Sequence, residues 1–347
     1  MADVQTFIPE VINAHFDEAS YLYSEYQAEC EAANTDTGYL KGVVLRLDAN
    51  LEGLMINAKA ADEYCEAAVE GDDAGEIFVA SYLAFYAGDL GKIKPLAEVA
   101  QGDALLLEAF ACGLAWHPWD LSGFWATKFI SAKQSAMAAI GLFCFDTHNK
   151  SLPIVFNDLL KRTLSEEKPS ELPLLLAIAH KNKDTNILPT LQALKPKNQL
   201  DDSHFELLET RLKLGDTSAL PILKPFILLE NENREAALKL VFSKLKIDEA
   251  KQWMAELKAC PDTERYLLLA VAAMNEKPLI PWVIKQMELP ELARIAGKVL
   301  SELTGQNLRK NQWILNDEAM DEAWLAIEGD EELDWPDVIK IKQALGV

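Results

Sequence analysis

Between Met137 and Thr304 four features keep returning in one order: an apolar run, a short polar loop, a Leu/Ile-Pro step and a second apolar run. The steps are Leu152-Pro153, Leu188-Pro189, Leu220-Pro221 and Ile280-Pro281, with successive prolines 36, 32 and 60 residues apart. The last interval is about two periods, and Ile247-Asp248-Glu249-Ala250 opens a helix without proline inside it. Placing that start at 249 makes the intervals 36, 32, 28 and 32. A period of this size marks stacked helical hairpins, none of which buries both faces alone.

One repeat shows the physics. From His204 to Leu214, Phe205, Leu208 and Leu212 share a helical stripe, and Leu207 and Leu214 widen it, as packing on two neighbours requires. Gly215-Asp216 stops the helix, because glycine adopts the left-handed conformation that closes a C-terminus. Thr217 or Ser218 can cap the next helix, and Pro221 falls in its first turn, where a missing N–H costs little. Pro225 bends that helix or delays its start. Leu172–His180 before Asn182–Asp184, and Tyr266–Met274 before Asn275-Glu276, follow the same plan.

The chain has 347 residues, beyond the roughly 250–300 that one core usually serves, but a solenoid core grows in one dimension. No apolar run reaches the roughly 20 residues that span a bilayer. Met1-Ala2-Asp3-Val4 lacks the basic and apolar regions of a secretory signal. Cys30, Cys65, Cys112, Cys144 and Cys260 are odd in number, widely spaced and without a Cys-x-x-Cys. Reduced cysteines and a cytoplasmic home are expected.

The net charge of −22 is unevenly spread. Residues 1–76 carry a balance of −14, residues 77–316 balance to zero, and residues 317–347 carry −8. Acidic flanks repel nucleic acid and anionic membranes and attract basic proteins, although acidity also serves solubility.

In chain order, residues 5–33 read as one helix, with Ile12, His15, Phe16, Ala19, Leu22 and Tyr26 on its apolar stripe. Tyr39–Ala61 is a second, holding Val43, Leu47, Leu51 and Leu54, and Tyr64–Glu70 a short third. Hairpin rhythm starts at Glu76. An irregular aromatic turn, Trp116-His117-Pro118-Trp119-Asp120, interrupts it. The expected organisation is an acidic N-terminal helical domain (1–75), a repeat array (76–305) and an acidic C-terminal capping segment (306–347).

Four segments then look familiar. They are Ile12-x-x-His15-x-x-Glu18-Ala19-x-x-Leu22, Leu45-x-x-Asp48-x-x-Leu51-Glu52-Gly53-Leu54, Ala296-Gly297-x-x-Leu300-x-x-Leu303-Thr304-Gly305 and Leu333-Asp334-Trp335-Pro336-Asp337. Together they resemble an uncharacterised family of bacterial proteins built on HEAT-like repeats and often encoded in or near type VI secretion gene clusters. The family ending is usually Leu-Pro-Trp-Pro-Asp, and Asp334 stands here in place of the first proline. The resemblance implies a helical-repeat fold and a secretion context. It brings no catalytic residues with it.

A search for chemistry finds no His-Glu-x-x-His, Gly-x-Ser-x-Gly or phosphate-loop pattern. The five histidines are scattered: His15 on an apolar stripe reads as a core or cap residue, and His180 and His204 stand at helix ends. His148 in Asp146-Thr147-His148-Asn149 comes nearest to a metal cluster, although the segment also reads as a helix-ending loop. No metal or cofactor is expected. Lyases and DNA-repair glycosylases also use short helical repeats, so an enzyme stays open as an alternative. A glycosylase needs a basic groove, which −22 opposes.

Two clusters stand out for binding. Trp116, His117, Trp119 and Trp125 place three tryptophans within ten residues, either as partner anchors or as filling for the joint between domain and array. Trp313, Trp324 and Trp335 share the acidic C-terminal stretch with Glu331, Glu332 and Asp337. They either cap the last repeat or show aromatics inside an acidic rim to a basic partner. The sequence therefore predicts an all-α HEAT-like solenoid that binds a protein, with no nucleic-acid or membrane partner. The resemblance suggests an immunity protein or an adaptor for a type VI effector, and a general scaffold is the other non-enzymatic reading.

Overall fold

The computed structural model describes residues 8–31, 37–153, 156–163, 169–193, 200–261, 263–315 and 330–346. Among these residues the fold is all-α, with nineteen α-helices and one isolated antiparallel bridge. The chain divides into two compact units, residues 1–194 and 195–347.

In the first unit α1 (Pro9–Glu31) pairs along α2 (Thr37–Ile56), and α3 (Asp62–Ala68) and α5 (Leu90–Ala100) lean on α4 (Ala74–Ala87). There follow α6 (Ala104–Ala115), α7 (Trp119–Ile130), α8 (Ser135–Thr147), α9 (Phe156–Thr163), α10 (Leu172–Lys181) and α11 (Leu188–Ala193). α1 packs on α4, α4 on α6, α6 on α8 and α8 on α10, while α2, α5, α7 and α9 each lean on a member of that row. Helices in the middle of a row have neighbours on several sides. α4, α6 and α8 are accordingly apolar almost all round, with Ile77–Phe85 and Leu106–Leu107 buried. A Cβ on Gly113 of α6 would stand 2.8 Å from the Phe78 carbonyl and the Ser81 Cβ of α4, so only glycine lets these two helices come so close. One apolar cluster runs from Ile12 to Leu174, and the division expected at 75/76 falls inside it.

The second unit repeats the scheme with α12 (Asp202–Lys213), α13 (Leu220–Leu228), α14 (Arg234–Phe242), α15 (Ile247–Lys258), α16 (Glu264–Met274), α17 (Ile280–Gln286), α18 (Pro290–Thr304) and α19 (Val338–Leu345). α12 packs on α14, α14 on α16 and α16 on α18, with α13, α15 and α17 leaning on that row and α19 on α17. Phe205, Leu207, Leu208, Leu212 and Leu214 are all buried, the stripe that their spacing predicts. The division expected at 305/306 lies within this unit.

The corners between helices share one construction. Gly88, Lys183, Gly215 and Asn275 take positive φ, and the next residue's amide reaches back five positions. These bonds are Asp89 N–H to the Ala84 carbonyl, Asp184 to Ala179, Asp216 to Arg211 and Glu276 to Val271, all 2.9–3.2 Å. The carboxylates of Asp89, Asp184 and Asp216 then accept the amide two residues on, at 2.8–3.1 Å. After the last three corners a 3-10 turn leads into Leu188, Leu220 or Ile280, the first residues of α11, α13 and α17. The Leu152-Pro153 step differs in the corner before it. There Lys150 follows the positive-φ Asn149, so no carboxylate closes the turn. α15 starts at Ile247, the position of the proline-free member.

Candidate protein-binding surfaces

In the first unit the aromatic turn joins α6 to α7. The Trp116 indole N–H donates to Asp48 Oδ1 of α2 at 2.8 Å, and its ring stands edge-on to Tyr26 and Phe78. His117 is 2% exposed and stacks on Tyr82 with ring centres 4.0 Å apart. Its Nε2 lies 2.9 Å from the Tyr82 carbonyl, which can only accept, so that nitrogen carries the proton. Burial pushes the His117 pKa down, against the opposing effect of that carbonyl. Trp119 meets Phe145 edge-on, with the Lys150 ammonium 5.2 Å from the Trp119 ring. Trp125 is buried against Phe85 and Phe129. These rings fill joints between helices. The residues left exposed beside them are Tyr86 and Phe124.

Ser122 Oγ and His148 Nε2 stand 3.1 Å apart. Ser122 is fully buried and His148 half-buried, and the pair fastens α7 to the end of α8. Asp146 of the same segment takes Lys181 Nζ at 2.9 Å and Asn182 Nδ2 at 2.6 Å. Among the described residues no group of three or more His, Cys, Asp or Glu gathers to hold a metal. All five cysteines are free thiols, and burial pushes Cys65 and Cys112 up to about 12 and Cys144 up to about 11. Cys65 lines an open hollow of about 200 Å³ with Glu66, Val69 and Lys92, and Lys92 is paired with Asp62. No described helix is long and apolar enough to cross a membrane.

In the second unit the C-terminal segment is fastened down. Residues 313–315 and 335–337 pair through the Ile314–Pro336 bridge, with Leu315 N–H donating to the Trp335 carbonyl at 2.9 Å and Asp337 N–H to the Trp313 carbonyl at 2.8 Å. Trp335 is 6% exposed, with the Arg294 guanidinium 4.2 Å from its ring centre. A Cβ on Gly297 would lie 3.4 Å from Pro336 and 3.1 Å from Leu308, so the turn rests directly on α18. Trp313 is half-buried, and Glu331 and Glu332 are exposed. Trp324 lies outside the described residues. Asp337 caps α19: burial works to raise its pKa, but hydrogen bonds from the Lys340 amide and ammonium outweigh it and hold the carboxyl below its ordinary value. Asp330 grips Arg265, which also meets Glu235, and Asp334 grips Arg309 at 2.7–2.9 Å. Three of the segment's acids are thus satisfied within the chain.

The sequence reading passed over one surface. Leu45 and Ile56, 71% and 73% exposed, are the two most exposed large apolar side chains among the described residues, and both lie on α2. The buried stripe Val43, Leu47, Leu51 and Leu54 is the stronger signal in the sequence, and these two residues lie on the opposite side of the helix. Comparison of the chain with protein-family models, curated proteins and solved structures finds no match.

Proposed function

We propose that the chain is a HEAT-like solenoid whose work is non-catalytic protein binding in the bacterial cytoplasm. The observation that carries this reading is the packing order within each unit, where alternate helices follow one another in a row and their partners line its side. Such hairpins generate long open surfaces, which suit macromolecular partners better than small substrates. The acidic ends favour a basic partner. The resemblance at Trp335-Pro336-Asp337 and the three other segments points to type VI secretion, as an immunity protein that blocks an effector or an adaptor that loads one.

The test is purification of the tagged full chain from its native bacterium, followed by binding kinetics at two salt concentrations. A stoichiometric basic protein whose association slows as salt rises is expected. No stoichiometric protein partner, or an acidic one whose association ignores salt, would overturn the reading. A type VI effector or spike component among the partners would separate the immunity role from loading.

A further inference from the structure

We infer that the outward face of α2 is a docking surface for a cationic amphipathic helix of a partner protein. The inference rests on the protein-binding reading and names the surface and the chemistry it takes. On α2, Val43, Leu47, Leu51 and Leu54 point inward and are buried. Gly42, Leu45, Ala49 and Ile56 follow at intervals of three, four and seven residues, which on a 3.6-residue turn form one stripe on the other side, while Gly53 between the last two faces His15 of α1. Gly42, Leu45, Ala49 and Ile56 are exposed, and no charged residue interrupts the stripe. From Gly42 to Ile56 it is about 21 Å long, four turns of a docked helix. A Cβ on Gly42 would touch nothing within 4 Å, so packing inside the chain does not explain a glycine in mid-helix. A second helix lying along the stripe does, because small residues allow close approach.

Charge decides what that helix is. α1, along one flank, sets Glu18 against Arg46 and Glu25 against Tyr39 of α2, and carries no lysine or arginine. Arg46, the cation on that side of α2, is paired with Glu18. On the other flank Glu52 and Lys41 are exposed, and Asp48 and Glu52 both lie near enough to Tyr82 to add to the rise of its hydroxyl, which burial begins and which reaches about 12. An apolar stripe in a region of net charge −14 complements leucines flanked by lysines. A second copy would instead bring two regions of −14 together.

The probe is a synthetic 18-residue leucine–lysine peptide with its leucines on one helical stripe, titrated calorimetrically into the full chain at low and physiological salt. A scrambled peptide of the same composition and a leucine–glutamate analogue serve as controls. The ordered lysine peptide is expected to bind, more weakly at higher salt, and both controls to bind at least about tenfold more weakly. Leu45→Gln with Ile56→Gln, both exposed and helix-compatible, should weaken binding about tenfold or more. Ile339→Gln, equally exposed in the second unit, should not. Equal binding of the scrambled peptide, or no effect of the double substitution, overturns the inference. So does a dimer in sedimentation that the double substitution abolishes, since the face would then belong to a second copy. A cellular partner that ignores the double substitution removes this surface and leaves protein binding standing. Peptide binding that obeys the substitutions without any cellular protein partner supports the surface and removes the wider reading.

Discussion

The guanidinium of Arg294 stands over the Trp335 ring, 4.2 Å from its centre, so a side chain of α18 clasps the turn that covers α18. The ring is a packing element of the second unit, and the consequence of removing it is a loss of stability.

Trp335→Ala is therefore expected to destabilise the second unit by about 3–5 kcal/mol, the usual cost of truncating a buried aromatic. Urea unfolding followed by circular dichroism reads the change. A variant as stable as the parent would return Trp335 to the role of a displayed anchor.

Two capping aspartates should differ in weight. Asp216 pairs with Arg211 at 2.8 Å, and both side chains are more than nine-tenths buried. Asp216→Ala leaves that guanidinium without its carboxylate and should cost about 3–5 kcal/mol. Asp184→Ala removes a cap alone, worth about 1 kcal/mol. Denaturant midpoints for the two variants test the order, and equal losses would mean that the buried pair adds nothing.

Two glycines should respond with opposite sign. Helix propensity favours alanine over glycine by about 1 kcal/mol at either site. At Gly42 nothing opposes it, and Gly42→Ala should stabilise. At Gly113 the new methyl meets the α4 backbone at 2.8 Å, and overpacking of about 1–3 kcal/mol should reverse the sign. Thermal unfolding of the pair decides this, and a stabilised Gly113→Ala would show that α4 and α6 can separate without cost.

His117 sets an acid limit. Its folded pKa lies below its ordinary 6.5, so the unfolded chain binds the proton more readily. Its contribution is complete above about 6.5 and is lost as pH falls from there through the folded value. His117→Gln, which keeps a donor for the Tyr82 carbonyl, should flatten stability against pH in that window. His148, also lowered by burial first, acts with the same sign and leaves part of the slope. An unchanged slope would remove His117 from the account.

Much of the fold is legible because it is local. The stripe Phe205, Leu208, Leu212 and the stop at Gly215-Asp216 follow from periodicity and turn chemistry, and so does the start at Ile247. Lys183 and Asn275 make the same left-handed corner without glycine, so composition alone marks it less clearly. Pro95 falls inside a helix rather than at its start. α5 begins at Leu90 because Asp89 caps it there, and the helix carries the proline inside. Trp116 and Asp48 are 68 residues apart, and Arg265 and Asp330 are 65 apart. No short pattern announces such meetings. That is why the C-terminal acids could be read as a display for a partner when Asp330, Asp334 and Asp337 have partners within the chain.

The corners carry a further consequence. At Asp216 the bonds from Arg211 to the Asp216 carboxylate, from Ser218 to that carboxylate and from Arg211 to Ser218 at 3.0 Å join residues at most seven apart. Direction is thus encoded beside each bend. A gene coding for such a chain can lose or duplicate one hairpin and still fold the remaining bends. Its length is open to drift, while the few residues at each bend are not.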